Sequence, residues 1–451
     1  MKGNNRQIVA ALIAALALLA ALFGVLGTAP AAAQTEQREA VLQAATWLVE
    51  MHQHEDGGYT GFSSGAGGAP ADVGGTVDAI LGLATAGFDV TVPYPGREQT
   101  PIDYLQNNPE EVAAYAAQDG GTAGKLVLAL VAAGQDATDF AGESPSLRLS
   151  EHLSPTGQYG PVSPFGQALA ILAAQTAAGE VPESALTWLR ERQAVEGEVA
   201  GSWDDGFGTT GNVDATAAAV MALAAAGTPV TDTALVAAAD FLAQAQLESG
   251  GWPYAPGQPE SANSTALAVQ ALSALGEDFA SADGEWARDG VSPLAALLAW
   301  QGESGAFQAD FGDGRFDDFF ATVQALPAAA GHPFRFDQAA GPGHLPGDLS
   351  WPQTAAAATA TAPPTETPPP TKTPPPATPT PAPTEVPATA VVEPSTATST
   401  PTPSLVAADA EEVAQPVEET EATAPIVAWV LVALAALLVV AVAVWVYVRP
   451  R

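Results

Sequence analysis

Six times along this chain a run of Ala, Leu and Val is stopped by a glycine. The stops are Ala86-Gly87, Ala133-Gly134, Ala178-Gly179, Ala226-Gly227, Leu275-Gly276 and Ala330-Gly331, with the glycines 47, 45, 48, 49 and 55 residues apart. Good helix formers followed by glycine specify a helix ending in a left-handed cap. A second helical stretch precedes each, most clearly around Ala44-Trp47-Leu48, Leu186-Trp188-Leu189 and Ala239-Phe241-Leu242. Alternating β-branched runs are absent, so the expected class is all-α, built from six helical hairpins. Segments ending at the glycines, such as Val213 to Ala226 and Thr265 to Leu275, are apolar almost all round and should be buried. Their partners, such as Ser184 to Gln193 with Arg190, Glu191 and Arg192, are amphipathic and should face solvent on one side. An inner and an outer ring satisfy both, which predicts a closed (α/α)6 toroid. An open solenoid would need polar caps on its terminal repeats, and none is evident.

The turns between paired helices share a motif. Gln246, Gly250 and Trp252 form Gln-x-x-x-Gly-x-Trp; Gln53, Gly57 and Tyr59, and Gln301, Gly305 and Phe307, repeat it with another aromatic. Gln193 with Gly201 and Trp203 is a longer copy, while the third unit keeps only Gly157 and Tyr159 and the second only Gln118 with Gly120-Gly121. On these residues the domain, residues 35–346, resembles the α/α-toroid superfamily of terpenoid cyclases, protein prenyltransferases, cobalamin carriers and complement thioester domains, and most closely the repeats of squalene cyclases. The motif itself is structural: the Gln can bond free carbonyls at the end of an outer helix, the glycines permit a tight turn, and the aromatic ring packs on the neighbouring unit.

What the resemblance implies for chemistry is narrower. A cyclase of this superfamily carries Asp-x-Asp-Asp-Thr-Ala at the start of an inner helix, and this chain has Asn212-Val213-Asp214-Ala215-Thr216-Ala217 there. Asp214 matches the proton donor, but Asn212 and Ala215 replace its acidic companions. Protonating an alkene needs a strong acid polarised by its neighbours, so a lone Asp214 reads better as a charge placed favourably at a helix N-terminus, with Thr216 completing the turn. The absence of cysteine excludes disulfides, thioesters, thiolate nucleophiles and the Asp-Cys-His zinc site of a prenyltransferase. His52 and His54, two apart, point to different faces of a helix. No metal or other cofactor is expected. A carbohydrate enzyme would need two flanking carboxylates, and Asp204, Asp205, Asp317 and Asp318 are available beside Trp203, Phe207, Phe316 and Phe319, although acids in glycine-rich loops are commonly turn residues.

Loop lengths locate the working end. Connections from outer to inner helix are long (His54 to Asp72, Glu196 to Gly211, Leu247 to Ala262, Gly302 to Arg315), and several returns are short (Glu180 to Glu183, Thr228 to Thr231). In an alternating ring the long loops gather at one end, forming a mouth beside the N-termini of the inner helices. Tyr59, Phe62, Trp203, Phe207, Trp252, Tyr254, Phe311 and Phe316 should line it with Asp205 and Asp214, and about half of the rings should prove to be packing only. The expectation is a mouth that binds a small or extended ligand without catalysis, as the resemblance to cobalamin carriers allows, although no residue pattern specifies a corrinoid. A degenerate terpenoid cyclase or a carbohydrate enzyme is the alternative. Asn263-Ser264-Thr265 is a glycosylation tripeptide, but helix capping explains it better.

The ends speak of location. Lys2 and Arg6 precede an apolar run from Ile8 to Leu26 and the small residues Ala31-Ala32-Ala33, the pattern of a signal peptide over residues 1–33, with an uncleaved anchor as the alternative. Residues 352–424 are rich in Thr, Pro and Ala, too poor in apolar side chains to fold, and should form an extended stalk. Ile426 to Val448 is an uncharged apolar run between Glu418, Glu419 and Glu421 and the basic tail 449–451, long enough to cross a bilayer. The positive-inside rule then places the tail in the cytoplasm and the domain outside, as a single-pass cell-membrane protein. With 14 Lys+Arg against 50 Asp+Glu, a formal charge of −36, nucleic acid is not a partner. The expected state is a monomer.

Overall fold

The computed structural model describes residues 33–61, 70–334 and 349–351, all within the first of two compact units, residues 1–364. The expected signal peptide up to Ala32, Phe62, the stalk and the apolar run Ile426 to Val448 lie outside the described residues. Within them, no helix is long and apolar enough to cross a membrane.

The architecture is all-α. Inner helices α2 (Val73–Thr85), α5 (Gly120–Ala132), α7 (Pro164–Ala178), α9 (Val213–Ala225), α11 (Ala262–Leu275) and α13 (Phe319–Ala330) each pack on the next, and α13 returns to α2. Outer partners are α1 (33–52), α3 (Pro101–Asn107) with α4 (Pro109–Ala116), α6 (Pro145–Glu151), α8 (Glu183–Arg190), α10 (Thr233–Ala245) and α12 (Pro293–Leu298). Six hairpins thus close on themselves. Every residue of α9 except Asp214 is buried, whereas α8 buries only Ala185, Leu186, Trp188 and Leu189. That contrast follows from their apolar patterns. Small residues let the inner helices approach: a methyl on Gly82 would lie 2.6 Å from the Val323 carbonyl of α13. The sole strand pair among the described residues, β1 (Gln308–Ala309) with β2 (Phe316–Asp317), sits in the last long loop. Leu349 donates its N–H to Gly87 and Trp351 stacks on Phe88 at 4.6 Å, so packed residues extend past the expected boundary at 346.

The turn motif joins neighbouring units. Gln246 Nε2 donates to Gly250 of its own turn (2.9 Å) and to Trp286 ahead of α12 (2.8 Å); Gln193 donates to Gly201 and to Ala234 of α10, both at 2.8 Å. Gln301 reaches Gly305 (2.7 Å) and Ala40 of α1 (2.8 Å), tying the last unit to the first. Motif glycines Gly57, Gly157, Gly201, Gly250 and Gly305 lie in the left-handed region, while Gly120 and Gly121 of unit two begin α5, and space forbids a side chain as well: a methyl on Gly201 would stand 2.0 Å from the Ala237 carbonyl. The aromatic N–H groups are held by a threonine in the first turn of the inner helix, as in Trp252 N to Thr265 Oγ1 (2.9 Å).

Unit three does this differently. Leu153 stands where other turns have Gln, and Gln167 stands four residues after the helix cap Ser163, where others have Thr. Gln167 Nε2 donates to Gly157 (2.9 Å) and Ala185 (3.3 Å), and its Oε1 accepts from Tyr159 N (2.9 Å). One side chain replaces two.

Candidate functional site

The N-termini of α9, α11 and α13 converge on one cavity. Asn212 caps α9 through Ala215 N (2.7 Å), Ser261 caps α11 through Ser264 N (3.3 Å), and Asp318 caps α13 through Ala321 N (2.7 Å). Between these helix starts and the loops above them is a cavity of about 950 Å³, lined by Asp214, Tyr254, Gln258, Glu260, Trp300, Asp310, Phe311, Arg315, Asp318 and Phe320, among others. A narrow axial cavity of about 50 Å³ adjoins it at Phe320 and Gln324 and reaches the ion pair of Lys125 with Asp78, 2.8 Å apart.

Most polar groups of the wall have partners within the protein. Tyr254 donates its hydroxyl to Asp205 Oδ2 (3.0 Å), and its carbonyl accepts from Val213 N (3.0 Å) and Asn212 Nδ2 (3.2 Å). Asp205 Oδ1 also accepts from Phe207 N (2.8 Å) and Thr209 N (2.9 Å). Burial works to raise the Asp205 pKa, but these bonds to its charged form prevail and bring it to about 2. Burial and the Asp205 carboxylate push Tyr254 up to about 12. Trp300 donates Nε1 to Glu260 Oε1 (2.6 Å), and the Arg315 guanidinium lies over the Trp300 ring at 3.7 Å while bonding the Ala299 carbonyl (2.9 Å). Asp310 Oδ1 accepts from Gly312 N (2.8 Å) and Gly314 N (3.2 Å), fixing the tip between β1 and β2.

Asp214 differs. Its Oδ1 is buried and meets no hydrogen-bond partner among the described residues. Burial raises its pKa to about 6, with the neighbouring Ser264 hydroxyl acting in the opposite direction. Loss of water on burial outweighs the Ser264 hydroxyl here. The capping job belongs to Asn212, and Thr216 Oγ1 donates back to the Asn212 carbonyl (2.7 Å).

Of the residues expected at the mouth, Asp214, Tyr254 and Phe311 line the cavity, and Phe316 packs beside Phe311 at 5.5 Å. Asp205 supports Tyr254 from behind. Phe207 is 89% exposed and stands clear of the cavity wall. Tyr59, Trp203 and Trp252 are corrected: all three are buried in the core and absent from the wall of this cavity. The reason lies in their polar atoms. Trp203 Nε1 donates to Leu189 at the end of α8 and Trp252 Nε1 to Leu242 in α10, each at 2.7 Å, which holds the rings against the outer layer. Phe62 is outside the described residues. Glu260, Trp300 and Phe320 were not foreseen. Trp300 directly precedes the motif residue Gln301 and could have been noticed there, whereas nothing marks Glu260 or Phe320 in the sequence.

The other candidate acids serve turns and caps. Asp204 Oδ1 accepts from Gly206 N (2.7 Å), Asp317 Oδ1 from Gln308 Nε2 (3.1 Å), and Asp318 caps α13. His52 packs between Trp47 (4.6 Å) and Phe319 (5.2 Å), while His54 bonds the Thr60 hydroxyl. Asn263 Nδ2 donates to Gln324 Oε1 (3.0 Å).

Residues 165–246 and 228–326 match the family described as the prenyltransferase alpha-alpha toroid domain. Residues 165–326 therefore carry the toroid repeats that the turn motifs resemble. Similar solved structures include the type II terpene cyclase MstE from Scytonema, with 16% identity, a TM-score of 0.43 and coverage of 65% of this chain and 98% of that one. The ent-copalyl diphosphate synthase from Streptomyces platensis is similar at 19% identity and a TM-score of 0.39, covering 59% and 52%. A glycosidase is similar at 12% identity and a TM-score of 0.45, covering 66% and 97%. No curated protein matches the sequence.

Proposed function

We propose that this chain displays a ligand-binding toroid at the outer face of a membrane, and that its mouth over α9, α11 and α13 holds a small or extended ligand without chemistry. The observation that carries this reading is the cavity of about 950 Å³ with the unpartnered Asp214 Oδ1 in its wall. A pocket of this size, with the rings of Tyr254, Trp300, Phe311 and Phe320 set among polar and charged side chains, suits an organic ligand. Display rests on the N-terminal leader pattern, the Pro/Thr-rich stretch and the apolar run Ile426 to Val448. Chemistry is disfavoured because Asn212 and Ala215 stand where an acid cluster would polarise Asp214, and a pKa near 6 describes a weak acid.

The full-length chain, purified from its membrane fraction, should retain a small molecule detectable by native mass spectrometry or show a ligand-dependent rise in Tm. Gln258→Trp, which fills the mouth from an exposed wall position, should abolish both effects. Retention unchanged in that variant would refute the mouth as the binding site. One observation favours a second reading: Asp214 is a buried titratable acid facing a ligand-sized cavity, the setting of a general acid. A terpenoid product that disappears with Asp214→Asn would establish it.

A further inference from the structure

The wall of the mouth carries an excess of negative charge. Four carboxylates face or rim it, those of Asp214, Glu260, Asp310 and Asp318, against one cation, Arg315. Arg315 is already engaged by the Trp300 ring and the Ala299 carbonyl, and the Asn263 amide donates to Gln324. Glu260, Asp310 and Asp318 have protein donors in Trp300 Nε1, the Gly312 and Gly314 N–H groups, and Ala321 N respectively. Asp214 Oδ1 meets no donor at bonding geometry among the described residues, the Ser264 hydroxyl being the polar group that acts on this carboxyl. A buried acceptor without a donor is unfavourable unless a ligand supplies one.

A neutral polyol would leave the excess negative charge of this wall uncompensated. An anion would meet four carboxylates. An ammonium or guanidinium group donates only, and aromatic faces attract it. We propose that the mouth recognises an organic cation, a protonated amine or guanidinium on an apolar body, with its N–H groups donating to the Asp214 carboxylate and Tyr254, Phe311 and Phe320 enclosing the body. This inference rests on the mouth being the binding site and adds the charge class of what it binds.

Three probes of one shape separate the classes: 4-phenylbutylamine, 4-phenylbutanol and 4-phenylbutyrate, titrated calorimetrically into the full-length chain at neutral pH. The amine should bind at least ten-fold more tightly than the alcohol, and the acid should not bind. Asp214→Asn should weaken the amine at least ten-fold. Asp204→Asn, which removes the same charge from a turn outside the cavity wall, should leave it unchanged, and circular dichroism should show both variants folded. Equal binding of amine and alcohol, both lost in Gln258→Trp, would overturn the cation inference and leave the mouth reading standing. Amine binding unaffected by either Asp214→Asn or Gln258→Trp would show general attraction to an acidic surface and overturn the inference. Failure of all three probes would also overturn it, while the retained-ligand experiment judges the mouth separately.

Discussion

The turns of units three and five reach the same end by different residues. In unit five, Gln246 at the end of the outer helix bonds the turn and the next unit, and Thr265 of the inner helix receives the Trp252 N–H. In unit three, Leu153 cannot bond, and Gln167 reaches out from the inner helix to do both jobs. The ring therefore does not require a particular residue at the motif position. It requires that carbonyls and N–H groups buried at the unit boundary find partners, from whichever side a side chain can reach.

The largest effect should come from a change that neither arrangement tolerates. Gly157→Ala demands an L-residue at φ 89° with its methyl 2.0 Å from the Ser184 carbonyl, and should lower stability by about 4 kcal/mol or prevent folding. A loss below about 1 kcal/mol in denaturant unfolding would show that the unit boundary is looser than described. Next, Gln167→Leu strands two carbonyls and one N–H and should cost about 3–4 kcal/mol, against about 2–3 kcal/mol for Gln246→Leu, which strands two carbonyls. The decisive variant combines Leu153→Gln with Gln167→Thr, giving unit three the arrangement of unit five. It should recover most of the loss in Tm, and no recovery would mean that the two turns are not equivalent.

The mouth answers to a different rule, and pH exposes it. The Asp214 pKa of about 6 lies above its ordinary 3.8, so the fold disfavours the charged form. The contribution to stability is complete below about 3.8 and is lost as pH rises through about 6. Asp214→Asn, neutral throughout, should therefore be more stable than the native chain by about 1–3 kcal/mol at pH 7.5, with the difference fading towards pH 4. Destabilisation at pH 7.5 would mean that the carboxylate has a stabilising partner in the fold. The smallest change should follow Trp252→Phe, which loses one bond to the Leu242 carbonyl and should cost about 1 kcal/mol, read as a small fall in Tm with the mouth intact.

Much of the fold was readable in advance. All six glycines expected to stop inner helices do so with positive φ, from 68° at Gly134 to 104° at Gly87. Such a cap depends on the local backbone and leaves a local signature. The mouth was readable only in outline. A cavity does lie beside the N-termini of α9, α11 and α13, at the end that loop lengths indicate, but the aromatic residues divided in a way that the motif could not foretell. Trp203 and Trp252 look like binding residues in a list of loop aromatics, yet an outer-helix carbonyl accepts from each indole and holds the ring in the core. Trp300 and Glu260 come from different units, and only the packing of one hairpin on the next brings them to one wall.

By itself the sequence determined what repeats: helices by their apolar patterns, their ends by glycine, and tight turns by residues too small to collide with a neighbouring backbone. These are local or nearest-neighbour constraints, and each repeat restates them. Tertiary structure decided what does not repeat. Which acid loses its water, which carboxylates already have donors and which ring faces the cavity depend on residues as far apart as Asp214 and Arg315 meeting across the ring. Burial and hydrogen-bond satisfaction belong to the assembled neighbourhood rather than to any one residue, and that neighbourhood makes Asp214 the unsatisfied acceptor of the mouth.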